Sequence, residues 1–347
     1  MCPIAGWLQV ELALTSQLNI TFENNLVKLT VDCVSTGQLF AMPETSVLAY
    51  LLSKASVRTH ALPLEALVCT QVGLLPAPDY PIAAITAAED GLDVGAHYWL
   101  RAEPVHLLLQ RDSFSLSEPC PLVVTREHAQ AIISSLNAHF AADGLMFALG
   151  QSGAWYLCLA QVPSISTALP AIAMGENVAH FMPQGADAKT WVAYLNEMQM
   201  LLHAHLANAE REAVGEVAVN SIWLSGGGVM PASLAIEHDS DMDALVGGSA
   251  LYRGLAKRSG LIYHDICSVS DVMAQLADRS HVRMQLAQGA LLAEGNWQAL
   301  LNGLKSRSIT QLVLNLACYD QTLVATIKPL DLYKFWRTTK PMSAYLV

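Results

Sequence analysis

From Val219 onward the chain alternates short β-branched or leucine-rich runs with longer amphipathic ones, and this alternation constrains the fold more than any other feature. Strand-like runs at 219–224, 261–266, 281–287, 311–316 and 323–327 are interleaved with helical stretches at 242–259, 270–278, 296–304 and 330–337. Apolar strands alternating with helices argue for a mainly parallel sheet covered by helices. The β-branched run at 25–34 reads as one more strand, and three short helices follow, starting near Glu44, at Pro63 and at Pro81. Starting prolines, and stopping glycines at Gly73 and Gly91, mark these helices.

Between residues 95 and 215 the texture changes. Strand runs at 98–101 and 105–110 lead through the turn Arg111-Asp112-Ser113 to another at 114–117. Thr125 can cap a helix to about Ala141, and strands at 145–149 and 154–160 form a hairpin around Gly150–Gly153. Asp187 starts a long helix whose apolar positions Trp191, Leu195, Met198 and Leu202 follow the 3.6 period to about Glu212. This segment reads as an α+β insertion on the sheet.

Composition narrows the function classes. With 53% apolar and 14% charged residues the chain is globular, and its net charge of −11 argues against nucleic acid or an anionic membrane as partner. A mean hydropathy of +0.34 raises the question of a membrane span. The richest window, 62–77, carries Glu65, Thr70, Gln71 and Gly73, and Pro76 and Pro78 interrupt its end. The first basic residue is Lys28, so the start lacks the positive region of a signal peptide, and a cytoplasmic location is expected. Seven scattered cysteines, an odd number with no Cys-x-x-Cys pair, fit small buried hydrophobes better than a zinc site or disulfides.

Several motifs carry candidate chemistry. Ser225-Gly226-Gly227-Gly228 follows an apolar strand, and bare backbone at a strand's carboxyl end can offer N–H groups to an anion; the alternative is a tight structural turn. Arg101, His106 and Arg111 cluster in one hairpin region, as a fork for phosphate or carboxylate or as a rim paired to Glu103 and Asp112. His203 and His205 on one helix would point ~200° apart and cannot share a metal. His205, Asn208 and Arg211 are either substrate-facing or surface residues. Asp239, Asp241 and Asp243 resemble the start of a calcium loop, but Ala244 and Ala250 stand where it needs Gly and Glu, which favours a solvated acidic loop.

The run His205-Leu-Ala-Asn208-Ala-Glu-Arg211, then Val219-Asn-Ser-Ile-Trp-Leu-Ser-Gly-Gly-Gly228, then Ala244–Gly260, resembles the archaeal-type cofactor-independent phosphoglycerate mutases. Those carry a His-Pro-Val-Asn-x-x-Arg helix and a Ser-Ile-Trp-Leu-Trp-Gly-Gln-Gly strand and loop. Trp99-Leu-Arg101-Ala, Phe181-Met-Pro-Gln-Gly185 and the hairpin at Trp155 also fit, so the likeness spans about 95–267. Trp99–Leu107 and Asn196–His203 resemble bacterial regulatory proteins of the RpfE type within that group.

The resemblance implies an α/β chain: an alkaline-phosphatase-like three-layer core, mainly parallel, from residues 1–94 and 216–347, with an α+β inserted cap domain over 95–215. Active members hold two divalent metals such as manganese, with one acidic ligand at the end of the first strand and others near the carboxyl terminus. This chain departs from that pattern. Its first 45 residues contain no Asp-Gly, and no histidine follows His281. Two-metal phosphoryl transfer needs several carboxylates and imidazoles. The expectation is therefore a non-catalytic phosphoglycerate-mutase-like regulatory or binding protein without cofactor. Its partner is expected to be a phosphorylated or carboxylated small molecule, or a protein. The rival readings are an active metal-dependent mutase and a structural protein with an empty cleft. Leu206-Ala207, in place of the Pro-Val step, is expected to leave the long helix unbroken.

Overall fold

The computed structural model describes residues 26–34, 42–116, 118–234, 242–266, 268–276, 278–286 and 288–345. Asp239 and Asp241 of the acidic run lie outside the described residues. Among the described residues no helix is long and apolar enough to cross a membrane.

The alternation of the last third produces a seven-stranded, mostly parallel sheet. Its strands are β1 (Leu26–Cys33), β2 (Ser56–His60), β9 (Ala244–Val246), β10 (Ile262–His264), β11 (His281–Leu286), β12 (Ile309–Cys318) and β13 (Gln321–Ile327), in the order β10-β9-β11-β1-β12-β13-β2. Strands β10 through β12 run parallel, while β13 is antiparallel to β12 and to β2. One face buries Leu29, Val31, Val282, Met284, Leu312 and Leu314 against α1 (Val47–Lys54) and α9 (Glu294–Ser306). The other face carries the polar residues Thr30, Asp32, His281, Arg283 and Asn315, also buried, beneath α2 (Leu64–Gln71) and α7 (Ala250–Ser259). Parallel strands covered on both sides are normally apolar throughout. Here the polar face explains the alternation visible in the sequence at 25–34.

A second sheet, of order β6-β7-β3-β8, is antiparallel: β3 (Tyr98–Val105), β6 (Met146–Leu149), β7 (Trp155–Leu159) and β8 (Ser221–Val229). Helices α4 (Arg126–His139) and α5 (Ala188–His203) cover one face through Ile132, Leu136, Trp191, Leu195 and Met198. Helix α3 (Ile82–Glu89) lies between the two sheets. Its Ala83, Ala84 and Ala87 meet Trp99 and Tyr156 of the second sheet, while Ile82 and Ile85 meet Leu251 and Leu255 of α7. Alanines on a helix allow this close double contact, and Gly254 of α7 does the same from its side, since a Cβ there would lie 2.3 Å from Ile85 Cγ2.

This arrangement corrects three expectations. The strand at 219–224 belongs to the antiparallel sheet, paired with β3 from Tyr98 to Val105, and not to the parallel one. Ser-Ile-Trp-Leu is apolar enough for either sheet, and its partner is set by contacts more than a hundred residues away. The helix expected from Met242 begins only at Ala250, because Ala244–Val246 forms β9 and Ser249 caps α7 by accepting the Tyr252 N–H. The long helix does break: α5 ends at His203 and α6 (Leu206–Ala213) begins after His205, whose Nδ1 accepts the Ala207 N–H at 3.2 Å.

A candidate ligand cleft

The carboxyl ends of β1, β11 and β12 open onto a cleft of about 730 Å³. Val34, Gln285, Ala317 and Tyr319 form its floor at the strand ends, and Pro63, Leu64 and Glu65 at the start of α2 form one wall. Arg101 and Glu103 of β3, the loop Glu118–Pro121, and Leu169, Pro170 and Met174 close it from the second sheet's side. Ligands of open α/β sheets bind outside the carboxyl ends of strands, so the cleft sits where such a fold places a site.

Its charges are mostly negative. Arg101 donates to both oxygens of Glu65, at 3.1 Å from Nη1 and 2.6 Å from Nη2, and lies 3.9 Å from Glu103. Burial works against the guanidinium's charge, but Glu65 and Glu103 together hold it firmly protonated. Burial also pushes the Glu103 carboxyl up, opposed by Arg101, and Ser225 Oγ donates to it at 3.1 Å. Glu118 adds a third carboxylate to the lining. The Cys120 thiol is pushed up to about 12 by burial and by Glu103, so it stays protonated at neutral pH and is a poor nucleophile. Tyr319 contributes an aromatic ring from the tight turn between β12 and β13, where its φ is 52°. A bulky side chain in the left-handed region costs about 1–2 kcal/mol, and such positions cluster at functional sites.

Of the residues expected to form an anion site, only Arg101 lines this cleft. Ser225–Gly228 is no loop: it runs inside β8 and is buried. Its glycines serve packing. A Cβ on Gly227 would lie 2.2 Å from the Tyr98 hydroxyl, one on Gly228 would lie 2.4 Å from Pro81 Cβ, and Gly226 has a φ of 64°. Arg111 sits in the exposed turn between β4 (Leu107–Leu109) and β5 (Phe114–Leu116), away from the cleft lining. His106 donates from Nδ1 to Ala218 O at 2.8 Å.

His205, Asn208 and Arg211 are brought together, but as a structural clamp. The amide of Asn208 donates to Leu202 O at 2.8 Å and Val219 O at 2.7 Å, and accepts the Val219 N–H at 2.8 Å. Arg211 donates to Val217 O at 3.0 Å and pairs with Glu216 at 2.9 Å. Because His205 Nδ1 accepts, its Nε2 carries the proton and donates to Ser135 Oγ at 3.0 Å. The 205/208/211 spacing puts the trio on one side of α6, where it fixes the helix break and the entry into β8.

The acid near the end of the first strand is Asp32, which is not followed by glycine, and its carboxylate is fully engaged. Arg283 Nε and Nη2 donate to its two oxygens at 2.5 and 3.0 Å, Asn315 Nδ2 donates at 2.7 Å, and the Tyr252 hydroxyl completes the set. Gln71 accepts the remaining arm of Arg283. Asp32 and Arg283 are both 0% exposed. Among the described residues no three His, Cys, Asp or Glu side chains converge where a metal could sit. The described residues therefore do not fit a two-metal centre. Sequence reading missed Glu65, Glu118, Tyr319 and the Asp32–Arg283 pair; the local signal was an acid in one largely apolar strand run and an arginine in another.

No family model and no curated protein matches the sequence. Among the solved structures similar to it are two distant ones. One is the cofactor-independent phosphoglycerate mutase from Thermoplasma acidophilum DSM 1728, at 16% identity and a TM-score of 0.39, covering 88% of this chain and 90% of that one. The other is the PH0037 protein from Pyrococcus horikoshii, at 12% identity and a TM-score of 0.46, covering 88% of each chain. Both matches run over most of each chain, and both are distant.

Proposed function

We propose that this chain is a non-catalytic, phosphoglycerate-mutase-like binding protein of regulatory type, and that its cleft takes a small organic ammonium ligand. The observation that carries the first part is the state of Asp32. The one acid at the end of the first strand has both oxygens filled by a guanidinium, an amide and a phenol, and a carboxylate so held cannot also coordinate a cation. The cleft's own charges carry the second part. Both Nη atoms of Arg101 are taken by Glu65, with Glu103 at 3.9 Å, so an incoming phosphate or carboxylate meets one compensated guanidinium and three carboxylates. This replaces the phosphorylated or carboxylated ligand expected from sequence. An ammonium would meet Glu103 and Glu118 and the face of Tyr319, with prolines around its apolar body.

The test is a mutase assay with 3-phosphoglycerate and added manganese. No turnover above the protein-free blank is expected; turnover that follows manganese concentration overturns the reading.

A further inference from the structure

At one edge of the seven-stranded sheet lies a face that the proposed function does not use. Strand β2 is the last in the order, pairs only with β13 among the described residues, and is exposed along most of its length. An edge strand of this kind presents a row of backbone donors and acceptors to any extended chain. Beside it runs the segment after β13, where Tyr333, Phe335 and Trp336 are 74%, 87% and 67% exposed. This segment is held in place. Lys54 Nζ donates to Lys334 O and Arg337 O at 2.8 Å each, and Arg337 Nη1 donates back to Ala55 O at 2.6 Å, one residue before β2 begins. The rings are thus displayed on fixed backbone next to a strand edge that pairs with no other described residue. Phe335 and Trp336 pack edge to face with centroids 5.1 Å apart, and exposed rings grouped in this way on a folded chain mark an interaction surface.

Charge identifies the occupant. Residues 328–340 carry Lys328, Lys334, Arg337 and Lys340 against Asp331 alone, and β2 adds Arg58, on a chain whose net charge is −11. Two copies joined through this face would bring like charges together, which disfavours self-association here. We propose that β2 and the Tyr333–Trp336 platform form a docking edge for an extended acidic segment of a partner protein. That segment adds as an eighth strand, its backbone bonds to β2, its carboxylates meet Arg58 and the lysines, and its apolar residues lie on the rings.

The probe is a seven-residue peptide alternating Glu and Val, titrated by calorimetry at low salt, with a Lys-Val peptide and an N-methylated Glu-Val peptide as controls. The Glu-Val peptide is expected to bind with Kd below about 1 mM. It should weaken at least tenfold on Trp336→Ala and on Arg58→Glu, and neither control should bind. Both side chains are exposed, and unchanged circular dichroism will show that the variants fold. Equal binding of the Lys-Val peptide, no binding of Glu-Val at 1 mM, or indifference to Trp336→Ala overturns the proposal. So does a Trp336-dependent dimer in sedimentation equilibrium, which would make a second copy the occupant. Trp336-dependent binding to vesicles of phosphatidylcholine and phosphatidylserine would overturn it in favour of a lipid surface.

Discussion

Arg283 lies bidentate on Asp32 inside the sheet, Nε to Oδ2 at 2.5 Å and Nη2 to Oδ1 at 3.0 Å, with both side chains fully buried. The two residues sit on neighbouring parallel strands, Arg283 level with Thr30 and two positions from Asp32, so the guanidinium reaches along one face of the sheet. Removing one member of such a pair leaves an uncompensated buried charge, which costs about 3–5 kcal/mol. Arg283→Met is therefore expected to lower the urea midpoint severely. Asp32→Asn in the Arg283→Met background should recover part of the loss, and a double-mutant cycle measures the coupling.

Asn208 makes three buried hydrogen bonds that close the α5–α6 break onto the start of β8. Asn208→Ala leaves the Val219 carbonyl and N–H without their partner, while Leu202 O keeps the His205 N–H at 3.1 Å, and is expected to cost about 2–4 kcal/mol. Because the residue lies outside the cleft, ligand affinity measured on the folded fraction should not change.

Gly228 meets Pro81 so closely that a Cβ would fall 2.4 Å from its Cβ and 2.8 Å from its Cα. Gly228→Ala should destabilise by about 1–3 kcal/mol through this overpacking, read from thermal unfolding. A role in holding an anion predicts instead a loss of affinity at unchanged stability.

His281 is buried against Thr30, with 2.9 Å between its Nε2 and Thr30 Oγ1, and is lowered from an ordinary 6.5 to about 3 by burial first and then by Lys28 and Arg283. The folded state thus excludes a proton that the unfolded state accepts. Stability from this group is complete above about pH 6.5 and is lost as pH falls toward 3, at about 1.4 kcal/mol per unit. Between pH 6.5 and 5 the loss should approach 2 kcal/mol in urea titrations, and His281→Gln should flatten that part of the profile.

What could be read from the sequence was what is local. The strand at 25–34, the helices after Pro63 and Pro81, the Thr125 cap and the hairpin at 145–160 all appear within a residue or two of their expected places. Partner choice was not local. Ser221–Leu224 looks like any buried strand, and only Tyr98–Val105, more than a hundred residues earlier, decides its sheet. Arg101 likewise finds Glu65, 36 residues away on another element, before its neighbour Glu103. The three-residue β9 is too short to show a period, and the His205 break depends on an imidazole acting as a cap, a role no propensity assigns.

The cleft's preference for an ammonium is tested most directly by calorimetry with a matched pair, tryptamine and indole-3-propionate, which share a ring body and differ in the sign of their charge. Tryptamine should bind, and indole-3-propionate should bind at least tenfold more weakly. Tyr319→Gly relieves the left-handed backbone at φ 52°, so it should leave stability within about 1 kcal/mol while weakening tryptamine severalfold. Tighter binding of the carboxylate, or no heat from tryptamine at millimolar concentration, would contradict the account.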